Sequence, residues 1–134
     1  MNSLPLLYLD EHLAIINKPS GLLVHRSMID RHERSYAMRI LRDQLGQWVY
    51  PVHRLDKAAS GALVFALDRE TARRMTESFC DRRISKTYLA VVRGFTREAE
   101  RIESPLKEQV HSMNGKNADK DKPAKEAITE YQRL

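Results

Sequence analysis

The sequence lacks the residues for two common kinds of site. Cys80 is the single cysteine, so the chain forms no internal disulfide and builds no cysteine cage for a metal. None of the five histidines forms an HxH or HxxxH pair, and His53 with Asp56 alone would be an incomplete metal site. We therefore expect no metal, and we interpret Cys80 as a half-buried residue of a helix.

Long apolar runs are also missing. No run approaches the roughly 20 residues that span a bilayer. The first residues, MNSLPLLYLDEH, carry no basic segment ahead of their short apolar patch. We therefore expect no membrane association, no signal peptide and a cytoplasmic location. The length of 134 residues, with 42% hydrophobic and 31% charged residues, is typical of one globular domain.

Positive charge exceeds negative charge, and the formal net charge is +5. Such an excess permits an acidic partner, nucleic acid above all. Several arginines fall on two predicted helices, in DRHERSYAMRILRD and DRETARRMTESFCDRRISK. Acidic residues are interleaved with them, so a solvated face with i,i+4 ion pairs explains the pattern as well as an RNA-facing surface does.

The order of apolar patterns predicts an α+β fold with a mixed, mainly antiparallel sheet and flanking helices. Strands are predicted in LPLLYLD, LAIINKP, LLVH, GALVFALD, KTYLAVVRG and AITEYQRL, with an extended segment in WVYPVHRLD. Helices are predicted in SYAMRILRDQLG, ending at Gly46, and in RETARRMTESFCDRRI, capped by Asp68. Residues 112–125 are highly charged, and we expect a mobile loop there.

The stretch HRLDKAASG, residues 53–61, places a His, an Arg and an Asp ahead of a small turn that ends in Gly. The carboxylate of Asp56 could serve as a nucleophile, a general base or an ion-pair partner. No second acid lies in a comparable turn, as a glycosidase would need, and no GxSxG elbow supplies a serine nucleophile. An ordinary loop ion pair with Arg54 or Lys57 stays open, because short motifs match by accident.

Three ordered blocks give this motif a context: LAIINKPSGLLVH, VHRLDKAASGALVFAL and SKTYLAVVRG. Together they resemble the pseudouridine synthases that carry an HRLD signature and modify ribosomal and transfer RNA. NKPSGLLVHRS and LRDQLGQWVYPVHRLDK most closely resemble the tRNA pseudouridine synthase C branch. The resemblance covers residues 6–95, and AITEYQRL also fits. It implies that uridine in RNA (tRNA, or else rRNA) is isomerised to pseudouridine without a metal or a small-molecule cofactor.

The resemblance also implies roles for individual residues. The Asp of the signature maps onto Asp56, which would attack either C1′ of the sugar or C6 of the base. Arg54 would hold the flipped-out geometry, and Tyr88 would pack on the flipped uracil and assist proton removal from C5. Contact with RNA is expected at His53, Lys57 and Lys86. From the residues alone, Tyr88 is a core aromatic and the lysines are solvated.

Members of the family continue into a block of the type GRxHQIR, whose basic residue pairs with the catalytic Asp. The 134 residues contain no such block. We therefore expect residues 1–134 to form a single, truncated catalytic domain with exposed strand edges. A second chain that supplies the missing strands is the other explanation. The alternative functions are a non-catalytic RNA-binding fragment and a generic basic α+β domain.

Overall fold

The structure, a computed structural model, describes residues 3–26, 35–107 and 123–134. The chain forms two compact units, Met1–Thr87 and Tyr88–Leu134. The first unit contains β1 (Leu6–Leu9), β2 (Leu13–Lys18), α1 (Ala37–Leu45), β3 (Tyr50–Pro51), β4 (Gly61–Ala66) and α2 (Arg69–Cys80). The second unit contains β5 (Ala99–Glu103) and β6 (Ile128–Gln132). In the described ranges, no helix is long and apolar enough to cross a membrane.

The sheet of the first unit has the strand order β1-β2-β4-β3, and every neighbouring pair is antiparallel. The central pair, β2 and β4, is in register over six residues, from Leu13 opposite Ala66 to Lys18 opposite Gly61. The turn that follows β2 therefore lies beside the loop that leads into β4. This register places the two loops of the candidate site next to each other.

The core of the first unit is built from alternate residues of the central strands and from one face of α1. Its members include Ala14, Ile16, Leu63, Phe65, Ala37, Ile40 and Leu41. In a strand, every second side chain points to the same face. Lys18 follows Ala14 and Ile16 in that alternation, and it is 0% exposed although it is charged. The register therefore places a lysine at a core position.

Both predicted helices are present, although α2 ends at Cys80 and not at Ile84 as predicted. The end of α1 and the start of α2 are determined by nearby residues. α1 ends at Gly46, whose φ of 66° is the left-handed conformation that glycine adopts easily. α2 begins after Asp68, whose side chain accepts a hydrogen bond from the Thr71 backbone N–H. Apolar strand patterns also located β1, β2, β4 and β6 correctly. The prediction of an α+β fold with mainly antiparallel strands is confirmed.

Some local predictions are wrong. LLVH contributes an isolated parallel bridge between Leu23 and Tyr36 instead of a strand. KTYLAVVRG forms no strand, and its Val91 is fully exposed. A strand forms only where a neighbouring edge satisfies its backbone groups, and no described strand pairs with this segment. Cys80 is exposed rather than half-buried, because it ends α2.

The second unit contains a strand that the sequence patterns did not reveal. β5 has the polar sequence AERIE and pairs with β6, from Ala99 opposite Gln132 to Glu103 opposite Ile128. Most of the predicted mobile loop, residues 112–122, lies outside the described residues. The prediction that residues 1–134 form a single truncated domain stays a prediction.

Candidate functional site

Two loops of the first unit form the candidate site. One is the KPSG turn, residues 18–21, which begins at the last residue of β2. The other is the HRLD loop, residues 52–60, between β3 and β4. The Gly21 N–H donates a hydrogen bond to the Lys57 carbonyl at 2.7 Å. The Ser20 hydroxyl donates to the Ala58 carbonyl, also at 2.7 Å. These bonds attach the KPSG turn to the residues that directly follow Asp56.

Lys18 reinforces this attachment from inside the protein. Its Nζ donates to the carbonyls of Pro19 at 2.9 Å, Leu22 at 2.7 Å and Lys57 at 3.3 Å. An ammonium group has three donors and no acceptor, so three carbonyls satisfy it completely. Burial lowers the pKa of Lys18, and the negative charge of Asp56 acts in the opposite direction. A buried cation therefore lies beneath the HRLD loop, within the electrostatic reach of Asp56.

Asp56 itself lies at the surface. Leu55, which precedes it, is 8% exposed and belongs to the apolar cluster of the first unit. Because Leu55 points inward, its two neighbours, Arg54 and Asp56, are both exposed. The Ala59 N–H donates to the Asp56 carbonyl at 3.1 Å and closes the turn. The loop thus presents a carboxylate and a guanidinium to solvent from a backbone that is fixed on both sides.

His53 forms the other end of this fixed backbone. The Val64 N–H of β4 donates to His53 Nε2 at 3.0 Å. The imidazole also stacks on the Phe79 ring of α2, with 4.7 Å between the ring centroids and 24° between the planes. Burial lowers the pKa of His53, and the nearby positive charge of Lys86 lowers it further. The ring is therefore neutral at neutral pH and is directed into the protein.

The first unit brings most of the predicted site residues into one region. Arg54, Asp56 and Lys57 lie in the HRLD loop. Lys86 lies close to Phe79, with its Nζ 6.0 Å from the ring centroid. Tyr88 begins the second unit and is 60% exposed, so it is not the core aromatic that its sequence context alone favoured.

The sequence analysis missed Lys18 as a residue of the site. The signal was present in the alternation of β2, because Lys18 occupies the same strand face as Ala14 and Ile16. The stacking of Phe79 on His53 was also missed, because this contact needs the tertiary structure. In the described part of the chain, no group of three or more His, Cys, Asp or Glu residues is arranged to hold a metal ion.

Comparisons with known proteins agree with the family resemblance seen in the sequence. The family model described as RNA pseudouridylate synthase matches residues 12–134. The tRNA pseudouridine synthase C of Haemophilus influenzae is 50% identical over 131 residues, which are 98% of this chain and 55% of that protein. The protein of the same name from Pasteurella multocida is 48% identical, over 96% of this chain and 53% of the relative. The chain thus spans about half the length of the curated relatives it matches.

A solved structure shares the fold. The human RNA pseudouridylate synthase domain containing 1 superposes with a TM-score of 0.71 at 23% identity, covering 96% of this chain and 51% of that one. At that identity the likeness shows the fold alone. The family match covers nearly the whole chain and confirms the resemblance inferred from the three sequence blocks. The chain belongs to the RNA pseudouridylate synthase family.

Proposed function

We propose that this chain carries the nucleophile of an enzyme that isomerises uridine to pseudouridine in RNA, and that its substrate is tRNA. The observation that carries the proposal is the exposed Asp56 carboxylate on a loop held from both sides. A nucleophile must reach its target from a defined position, and the bonds to Lys18 and His53 supply that definition. The relatives named tRNA pseudouridine synthase C support tRNA as the substrate, with rRNA as the second choice.

The reaction exchanges one bond to the sugar for another. The bond between C1′ and N1 of the uracil breaks, the base turns, and a bond between C1′ and C5 forms. The proton on C5 leaves to solvent and N1 gains a proton, so no oxidant, metal or cofactor is required. The ionised carboxylate of Asp56 attacks C1′ or C6 and forms a covalent bond, which breaks again when the product forms.

The neighbouring side chains supply access to the base and grip on the RNA. A uridine in folded RNA must be flipped out before a protein can attack it. Arg54 is exposed two residues before Asp56, and its planar guanidinium can stack in place of the displaced base or bind phosphate. Tyr88 packs on the uracil, while Lys57 and Lys86 contact phosphates. The enzyme works where its tRNA substrate is, in the cytoplasm.

The second candidate function is RNA binding without catalysis. One observation favours it: the chain spans about half the length of its relatives, and its sequence contains no block of the GRxHQIR type expected from the family resemblance. This alternative predicts tRNA affinity that falls as salt increases and does not depend on the Asp56 carboxylate.

The test is tritium release from tRNA transcripts that contain [5-³H]uridine, because loss of the C5 proton accompanies the reaction. Wild type, Asp56→Asn and Asp43→Asn are compared; Asp43 is an exposed acid of α1 and serves as the matched control. We expect release from wild type and Asp43→Asn and none from Asp56→Asn. Undiminished release from Asp56→Asn would overturn the role of Asp56. Salt-dependent tRNA binding without release from any of the three would favour the second function.

A further inference from the structure

His53 lies at a place where the sheet ends early. β3 pairs with β4 only through Tyr50 opposite Ala66 and Pro51 opposite Phe65. Continued antiparallel pairing would place the next β3 residue opposite Val64. The chain leaves the sheet there, and His53 Nε2 accepts the Val64 N–H at 3.0 Å. The imidazole thus replaces the missing strand as the acceptor for a backbone donor that would otherwise have none in the sheet.

This bond fixes the chemical form of the ring. A backbone N–H can donate only to an unprotonated ring nitrogen, so His53 is neutral and carries its proton on Nδ1. The stacked Phe79 ring holds one face of the imidazole, and the ammonium of Lys86 lies near that same aromatic ring. Protonation of His53 would place its positive charge near the ammonium of Lys86. It would also place an Nε2–H donor opposite the Val64 N–H donor, so that the two groups repel each other.

The HRLD loop is consequently anchored at two ends. Its upstream anchor is the His53 ring, which accepts a hydrogen bond from β4 and stacks on an aromatic ring of α2. Its downstream anchor is the Lys57 carbonyl, which accepts from Gly21 N–H and Lys18 Nζ. Asp56 lies between them, three residues after one anchor and one residue before the other. Loss of the upstream anchor would free Arg54 and Asp56 to move together.

We propose that His53 is a positioning residue, whose neutral ring bridges Val64 and Phe79 and thereby fixes the Asp56 carboxylate for attack. The proposal rests on the proposed function of Asp56. It gives His53 a role inside the protein in place of the RNA contact expected from the family resemblance. The two roles predict different kinetic effects, because an internal anchor affects the chemical step and an RNA contact affects binding.

Two substitutions separate the functions of the ring. His53→Phe keeps an aromatic ring against Phe79 but removes the acceptor for Val64. His53→Gln keeps an acceptor near the position of Nε2 but removes the aromatic ring. The control is His12→Gln, since His12 is an exposed histidine in the β1–β2 turn. Tritium release gives kcat and KM for each variant, and filter binding gives the Kd for tRNA.

We expect His53→Phe to lower kcat on the order of 10- to 100-fold, as a nucleophile displaced by about 1 Å would. Its Kd for tRNA stays within about twofold of wild type, because Lys57 and Lys86 keep their phosphate contacts. His53→Gln recovers most of the lost kcat, and His12→Gln resembles wild type. A raised Kd with normal kcat in both His53 variants would overturn the proposal and establish an RNA contact.

A second measurement does not depend on turnover. Nitrogen-15 NMR of histidine-labelled wild-type protein reports the tautomer of His53. We expect the neutral Nδ1–H form at neutral pH, with a Val64 amide proton protected from exchange. An Nε2–H or doubly protonated ring would refute the anchor even if the enzyme is active. If wild type releases no tritium, the proposed function fails, while the NMR result still decides whether the anchor exists.

Discussion

Replacing the buried lysine beneath the HRLD loop is a strong test of how the site is held together. Lys18→Met keeps most of the side-chain volume and removes the ammonium, so the carbonyls of Pro19, Leu22 and Lys57 lose their common donor. The Leu22 and Pro19 bonds are short, at 2.7 and 2.9 Å, and belong to a side chain with 0% exposure. Leaving a buried carbonyl without a donor costs more free energy than the net stabilisation that its hydrogen bond supplied.

The expected size of the effect follows from these contacts. Leaving a buried acceptor without its donor costs about 1–3 kcal/mol, and the carbonyls of Pro19 and Leu22 each lose the Lys18 donor. Methionine avoids the desolvation of an ammonium group, which offsets part of that loss, so we expect destabilisation of about 3 kcal/mol. For a chain of this length, such a loss lowers the unfolding midpoint by about 10 °C.

The assay is thermal and urea unfolding of wild type, Lys18→Met and the control Lys107→Met, which changes an exposed lysine of the second unit. The control should stay within about 0.5 kcal/mol of wild type. Hydrogen exchange at the Gly21 amide should also accelerate in Lys18→Met, because the Lys57 carbonyl that it contacts loses its other donor. A Lys18→Met protein as stable as wild type would refute the argument that this cation holds the two loops together.

Three further predictions concern local features of the first unit. Hydrogen bonds from the Thr71 hydroxyl and backbone, followed by smaller effects of His12, lower the pKa of Asp68 to about 2. The ionised cap of α2 therefore contributes fully to stability above pH 3.8, and this contribution is lost as the pH falls through about 2. Unfolding of wild type and Asp68→Asn over a pH series should show their difference in stability disappearing in acid. The pKa of His53 is lowered from 6.5, first by burial and then by Lys86. The neutral ring therefore contributes fully to the free energy of unfolding above pH 6.5, and this contribution is lost as the pH falls through the lower pKa of the folded state. His53→Gln should flatten that part of the profile of stability against pH. Gly46→Ala should destabilise the protein by about 1 kcal/mol in urea unfolding, because its φ is 66°.

Each of these has a result that would contradict it. If the difference in stability between wild type and Asp68→Asn persisted at the lowest pH, the ionised Asp68 carboxylate would not be the group that stabilises α2. If the stability of wild type did not change with pH below 6.5, protonation of His53 would not destabilise the folded protein. A neutral or stabilising Gly46→Ala would show that the end of α1 relaxes away from the left-handed conformation.

The sequence revealed those parts of the fold that are determined by nearby residues. The apolar stripe of α1 ends at a glycine, and α2 starts after an aspartate that caps it, so the end of α1 and the start of α2 were predicted correctly. The dense apolar run of β4 likewise indicated a buried strand. β5 was missed because AERIE has no apolar alternation, and its strand character depends on pairing with β6, more than 20 residues away.

The candidate site was predictable in part for the same reason. Asp56 and Arg54 stand in the short HRLD motif on which the family resemblance was based, and motif residues can be read directly from the sequence. Lys18 needed tertiary information, since a lysine becomes a loop anchor only when three carbonyls surround it. The direction of the His53 ring needed it too, because Val64 and Phe79 lie 11 and 26 residues away along the chain.

The central claim is that Asp56 performs the chemical step, and single-turnover tritium release tests it most directly. With protein in excess over [5-³H]uridine-labelled tRNA, and with binding measured in the same samples, differences in affinity no longer affect the rate. Wild type should release tritium, and Asp56→Asn should bind the tRNA equally well and be slower on the order of 10³-fold or more. Equal single-turnover rates for the two proteins would contradict the account.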